Sequence, residues 1–169
     1  MKIESLQALL VEELKDLYGA EHQILEALPK IAAAAESEEL RNAFQSHLEV
    51  TRGHIERLER VFSALGQEAK RKHCKGMAGL LEEGEETIAK KMPASLKDAA
   101  LIAAAQKVEH YEIAGYGSAR TFAQQIGDLE SARMLQANLD EEGEADRTLT
   151  HLAEFNVNLE AAKLETVGG

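Results

Sequence analysis

The sequence has no tryptophan, a single cysteine, two prolines and only 4% aromatic residues in 169. Each scarcity closes a door. Cys74 alone can form no intramolecular disulfide and no multi-thiolate metal site. Two prolines leave long stretches of Ala, Glu, Leu and Lys, all strong helix formers, uninterrupted. No run approaches 18 apolar residues, so no membrane-spanning helix is predicted. The opening MKIESLQALLVEELKDL is cut by acids, which argues against a secretory core and for a cytoplasmic protein with no membrane partner. Basic residues are outnumbered, 19 Lys and Arg against 30 Asp and Glu, giving a net charge of −11. That balance repels a phosphate backbone, so nucleic acid is not an expected partner. The basic run Lys70 to Lys75 reads as a solvated connector for the same reason.

What is present is helical periodicity. Leu10, Leu14, Leu17, Ile24, Leu28 and Ile31 recur at spacings of three and four across residues 4–35, with Glu21 filling one gap. Ser37 can cap a second helix bearing Leu40, Phe44, Leu48, Ile55, Leu58, Phe62 and Leu65, with Gly66 closing it. Residues 67–94 form a connector holding one shorter helix and ending at Pro93. Ser95 is the expected cap of a third long helix that Gly127 stops, and a fourth runs from about Asp128 to about Leu159. The prediction is one all-α domain over 1–160, a four-helix bundle of two antiparallel hairpins, followed by a frayed tail over 161–169. A connector of nearly thirty residues can travel the whole bundle, about 45 Å at 1.5 Å per helical residue. It therefore permits the ferritin-like order, in which the second and third long helices are parallel. On that view not every neighbouring pair should be antiparallel.

The informative positions are acids that interrupt the apolar stripes. Positions 10, 14, 17, 21, 24 and 28 read Leu, Leu, Leu, Glu, Ile, Leu. Glu112 follows Val108 on the third stripe, with Glu109 one turn earlier. The fourth-helix row 135, 139, 142, 146, 149 reads Leu, Leu, Glu, Asp, Leu. Folding each hairpin about its turn brings Glu21, Glu109, Glu112 and Glu142 to one level near mid-bundle. Carboxylates gathered in a dry core must be neutralised by cations or shared protons. Two metal ions, Fe or Mn, bridged by carboxylates answer that need, because hard oxygen donors suit such ions. On the second helix, His47, Thr51 and His54 lie on or near the inward face and Glu49 toward the edge, so either set can supply ligands. His22 and His110 point about 100° away from their neighbouring acids. Tyr18, Tyr111 and Tyr116 lie within a turn of them.

The segments DLYGAEHQILEALPKIA, FQSHLEVTRGHIERLERVF, AALIAAAQKVEHYEIAGYGSARTFAQQIG and LDEEGEADRTLTHLAEFNVN resemble the YciE/YciF family of ferritin-like bacterial stress proteins. AQKVEHYEIAGYG is the most specific of them. The resemblance implies a ferritin-like bundle, a homodimer, a stress-response role and a di-metal site of Glu21, Glu49, Glu109, Glu112 and Glu142. A His three residues after the second-helix Glu is the family pattern, and Arg52 stands there instead. A guanidinium does not deprotonate and cannot ligate. Two functions follow: redox or peroxide-handling chemistry at a di-metal site, or a non-catalytic structural role with a degenerate site. Mini-ferritin storage is a poorer third. Leu9 and Leu25, as extra apolar positions on the first helix, favour a dimer.

Overall fold

A computed structural model of the chain describes residues 3–166. Four long helices make the bundle: α1 (Leu6–Ala34), α2 (Glu38–Ala64), α4 (Ala94–Gln125) and α5 (Leu129–Leu152). A shorter α3 (Lys75–Ala89) lies in the crossover, and after a π-helical turn at Ala153–Val157 a last helix, α6, spans Asn158–Thr166. Among the described residues there is no strand. The expected tail over 161–169 thus begins as helix, with Ala161 buried, and positions 167–169 lie outside the described residues.

Local chemistry sets most of the boundaries. Ser5 and Ser37 accept the backbone N–H groups of Ala8 and Leu40, and Asp128 accepts that of Ser131. Gly66 and Gly127 adopt φ of 65° and 84°, the left-handed geometry that ends α2 and α4 without a Cβ penalty. Ser95 does not cap α4. That helix starts at Ala94 behind Pro93, whose fixed φ of −53° suits a helix start, and no side chain caps it. Cys74 fills the N-cap of α3, its Sγ accepting from Met77 N at 3.3 Å. At the other end of α3 the Lys97 ammonium donates to the carbonyls of Thr87 (3.0 Å) and Ile88 (2.6 Å), where a cation meets the negative helix terminus.

The topology follows from which side chains meet. Asp98 near the start of α4 accepts the backbone N–H groups of Glu36 and Ser37 at 2.9 and 2.7 Å, and Tyr111 reaches Asp16, so α1 and α4 are antiparallel. Arg57 meets Asn138 while His47 lies beside Glu142, and α4 turns directly into α5 at Gly127 with Gln106 reaching Asp146 and Thr150, so α2/α5 and α4/α5 are antiparallel as well. Helices α2 and α4 do run parallel, but across the diagonal. The expectation that some neighbouring pair would be parallel is therefore corrected: the crossover delivers α4 to the far corner, and all four adjacent long pairs are antiparallel. The crossover itself is strapped to α1. Lys72 N–H donates to Lys15 O at 3.3 Å, and a Cβ on Gly19 would stand 1.8 Å from Lys72 O, so only glycine admits this approach.

The apolar interior divides in two. Leu28, Leu40, Phe44, Leu101 and Met77 pack at the end nearest the α1–α2 turn, and Leu10, Leu14, Leu58, Phe62 and Leu135 at the other. Between them lies a polar layer.

Candidate metal centre

The layer is built from one position on α1, two on α2, two on α4 and one on α5. Glu21, Glu112 and Glu142 are fully buried, Glu109 is 5% exposed and the α2 residues His54 and His47 are 0% and 9% exposed. Helical spacing explains the pairings. His47 and His54 are seven residues apart and so share one face of α2, while Glu109 and Glu112 are three apart on α4.

Two groups of ligand atoms converge. Glu21, His54 and Glu142 form one, and His47, Glu109, Glu112 and Glu142 the other, with donor atoms in each group all within 4.8 Å of one another. Glu142 belongs to both. His54 Nδ1 lies 3.0 Å from Glu21 Oε1 and 2.9 Å from Glu142 Oε1. That nitrogen has one hydrogen to give, aimed at Glu21, so Glu142 Oε1 receives none despite its proximity. On the far side of the ring, His54 Nε2 lies 3.0 Å from Glu141 Oε2. Glu141 is gripped in turn by both terminal nitrogens of Arg57 at 2.7 Å, a bidentate pair that fixes the carboxylate plane. Arg57 also donates to Asn138 Oδ1 at 2.7 Å. The Tyr116 hydroxyl donates to Glu21 Oε1. His47 Nε2 stands 3.6 Å from Glu109 and 3.8 Å from Glu142, too far for a hydrogen bond.

Many buried polar atoms therefore lack a partner: both oxygens of Glu112 and of Glu142, Oε2 of Glu21 and of Glu109, His47 Nε2 and Thr51 Oγ1. Native interiors leave few such atoms unmatched. Burial is the first cause that drives the Glu109 carboxyl well above the usual carboxylate range; His47 pulls it back, and Glu142 adds to the rise. Burial also raises Glu112, with Glu142, Glu21 and Glu109 pushing the same way. Burial opposes a charged His54, yet Glu21 and Glu142 outweigh it and hold the imidazole at about 10. The Tyr116 hydroxyl is raised by burial and then by Glu21 and Glu112. These are the marks of anionic donors without enough positive charge. A mixed set of carboxylate oxygens and imidazole nitrogens fits divalent transition metals, and His47, Glu109 and Glu112, with no hydrogen bond on at least one ligating atom each, would ligate.

Of the predicted ligands, the structure brings Glu21, Glu109, Glu112 and Glu142 together. Glu49 lies apart: its side chain is 71% exposed and pairs with Arg52, itself 52% exposed, on the outer face of α2. The register decides this, because His47, Thr51 and His54 occupy the inward face and Glu49 falls between their rows. Arg52 accordingly faces solvent and does not reach the carboxylate layer. Asp146, on the predicted acidic row, is at the edge, 3.3 Å from His110 Nε2. Tyr18 turns to Glu59, and Tyr111 to Asp16 and Cys74. The Glu141–Arg57–Asn138 group escaped sequence reasoning. The signal was faint: Asn138, fully buried, sits three residues after Leu135 and four before Glu142 on the α5 stripe.

Fold and site together define an all-helical bundle with a hairpin-to-hairpin crossover and a carboxylate–imidazole layer that can hold metal. The chain belongs to the family described as a domain of unknown function, DUF892, whose model matches residues 5–162. It is 45% identical over 162 residues to Protein YciF of Escherichia coli K12, an alignment spanning 95% of this chain and 98% of that protein. The crystal structure of the E. coli stress protein YciF superposes with a TM-score of 0.89 at 44% identity, covering 92% of this chain and 99% of that one. YcfI of Rhodopseudomonas palustris superposes with a TM-score of 0.86 at 41% identity, over 88% and 95% of the two chains. A Xanthomonas campestris protein at 20% identity and a TM-score of 0.74 shares the fold. No helix among the described residues is long and apolar enough to cross a membrane.

Proposed function

We propose that this is a ferritin-like, cytoplasmic stress-response protein that holds two metal ions, Fe or Mn, and handles oxygen species or peroxide. Glu21, His54 and Glu142 would hold one ion, and His47, Glu109, Glu112 and Glu142 the other, with Glu142 shared between them. The observation that supports this most directly is the pair of fully buried Glu112 oxygens, neither of which has a partner. Such ions, when bound, supply one-electron redox chemistry toward oxygen species. The chain's own residues do the rest. Glu141, fixed by Arg57, holds the Nε2 side of His54 and aims Nδ1 at the site, the outer support that ligating imidazoles commonly receive. Tyr116 orients Glu21 from the opposite side. The two apolar half-cores close the layer along the bundle axis. Loading requires His54 to release its proton, so affinity should rise with pH.

A second reading, a metal-free structural protein, is favoured by one observation: His54 already sits between Glu21 and Glu142 as a positive partner. Elemental analysis of protein purified without chelator separates the two. About two Fe or Mn per chain is the expected result. Substoichiometric metal that added Mn(II) or Fe(II) does not raise would leave the structural reading standing. A homodimer is part of the same proposal, tested by sedimentation.

A further inference from the structure

Between α2 and α5, toward the α1–α2 turn, lies a cavity of about 430 Å³. Phe44, Val50, Ala145, Leu149 and Leu152 line it, and His47 and Glu109 lie at its inner end. Glu39, Glu141 and Glu144 ring it where it opens. Both inner residues are buried by nine-tenths or more, and His47 Nε2 and Glu109 Oε2 have no hydrogen-bond partner. The cavity is thus a half-open, largely apolar cleft that reaches one of the two ligand groups.

We infer that this cavity binds a small, neutral, aliphatic molecule with a terminal O–H, its oxygen end at His47 and Glu109. The volume is near the lower end for small-molecule pockets, so the occupant is smaller than a drug-sized ligand. The lining is mostly apolar, with Asn42, Ser46 and Thr148 toward solvent, so a polar group seated against Phe44, Val50 and Leu149 goes unsatisfied and polarity is favoured at one end. An anionic head meets the acidic mouth and a chain of net charge −11, and is disfavoured. An ammonium head would suit the carboxylates alone but lie against cations once the site is loaded. A hydroxyl or hydroperoxyl group avoids both conflicts. The inference deepens the di-metal reading and rests on it for the exclusion of an ammonium head and for the orientation of the oxygen end.

The probe is 1-octanol, titrated into metal-free and Mn(II)-loaded protein by calorimetry and amide NMR. One molecule should bind per chain, shifting amides around Phe44, Ala145 and Leu149, and octanoate should bind at least tenfold more weakly to the metal-free protein. Ala145→Leu fills the cleft, and Thr148→Trp blocks its exposed rim. Each should weaken octanol binding tenfold or more with Mn(II) stoichiometry unchanged. In the Mn(II) form, paramagnetic relaxation should be faster for the octanol C1 protons than for its terminal methyl. Equal octanol binding by both variants, or shifts mapped elsewhere, overturns the inference. So does a faster-relaxing methyl. Amide shifts there that depend on protein concentration and ignore octanol would mark the face as a contact between two copies, which also overturns it. Failure of Mn(II) to bind sinks the metal reading separately, and the metal-free titration still decides whether the cavity takes an alcohol.

Discussion

Replacing Glu112 with glutamine should move metal-free stability and metal affinity in opposite directions. Glu112 is fully buried, neither of its oxygens has a hydrogen-bond partner, and Glu21, Glu109 and Glu142 surround it with like charge. A carboxamide keeps the shape, removes the ionisable group and offers two N–H donors to those neighbours. An unsatisfied buried polar group costs about 1–3 kcal/mol, which sets the scale of the gain. For a chain of this length each kcal/mol shifts Tm by about 2–4 °C, so metal-free Glu112→Gln should melt roughly 2–12 °C higher than the parent. The same change deletes an anionic donor. Its effect on metal affinity should exceed the roughly 10–100-fold loss seen when only an outer partner is removed. Thermal melting followed by circular dichroism with chelator, beside calorimetric titration with Mn(II), reads both quantities. A metal-free variant that melts lower than the parent, or a variant that binds Mn(II) as tightly, would refute the reasoning.

Arg52→His should leave Mn(II) affinity and stoichiometry unchanged and shift stability by no more than about 0.5 kcal/mol, because Arg52 faces solvent beside Glu49; side-by-side calorimetry checks it, and tighter binding by the variant would return residue 52 to the site. The metal-free protein should lose stability as pH rises. The carboxyls of Glu109 and Glu112 have folded pKa values above 4.5, so their contribution is complete below that pH and is lost as pH climbs through the raised values. His54, raised to about 10, adds stability that is full below its ordinary 6.5 and lost as pH passes 10. Melting temperatures in chelator from pH 6 to 10 should therefore fall, and a rising series would contradict the assignment. Gly19→Ala should destabilise by about 1–3 kcal/mol in urea, the usual cost of overpacking, since its Cβ would overlap Lys72 O; a neutral result would mean the crossover is not held against α1.

Much of this was legible because helices write their packing into a 3.6-residue period. Leu10, Leu14, Leu17 and Leu28 on α1, and Phe44, Leu58 and Phe62 on α2, are all buried as their spacing requires. Ser37, Gly66 and Gly127 end or start helices where their local chemistry says they should. Glu21, Glu112 and Glu142 stood out because each takes a place that its stripe reserves for an aliphatic side chain. Glu49 was expected from resemblance against its own register, and the register prevailed. Ser95 misled because a serine after a proline looks like a cap, whereas Pro93 already presets the helix start. The Arg57–Glu141 pair was not legible: both sit on polar flanks, and only the approach of α2 to α5 brings them together. The diagonal placement of α4 was equally hidden, since connector length bounds how far the chain can travel but not which corner it reaches.

The polar layer also bears on how the protein comes apart. It separates two apolar half-cores, one toward the α1–α2 turn and one toward the chain ends of α1 and α2, so hydrophobic packing alone does not run unbroken along the bundle. Local opening free energies in proteins follow such contiguous packed units. Without metal, the helix ends in either half can unzip while the other half stays closed, and amide hydrogen exchange should resolve two distinct classes of protection. A cation pair gripping α1, α2, α4 and α5 at once would weld those halves into a single cooperative unit, and the two exchange classes would merge. The carboxylates that weaken the metal-free interior are thus the ones positioned to make its unfolding all-or-none.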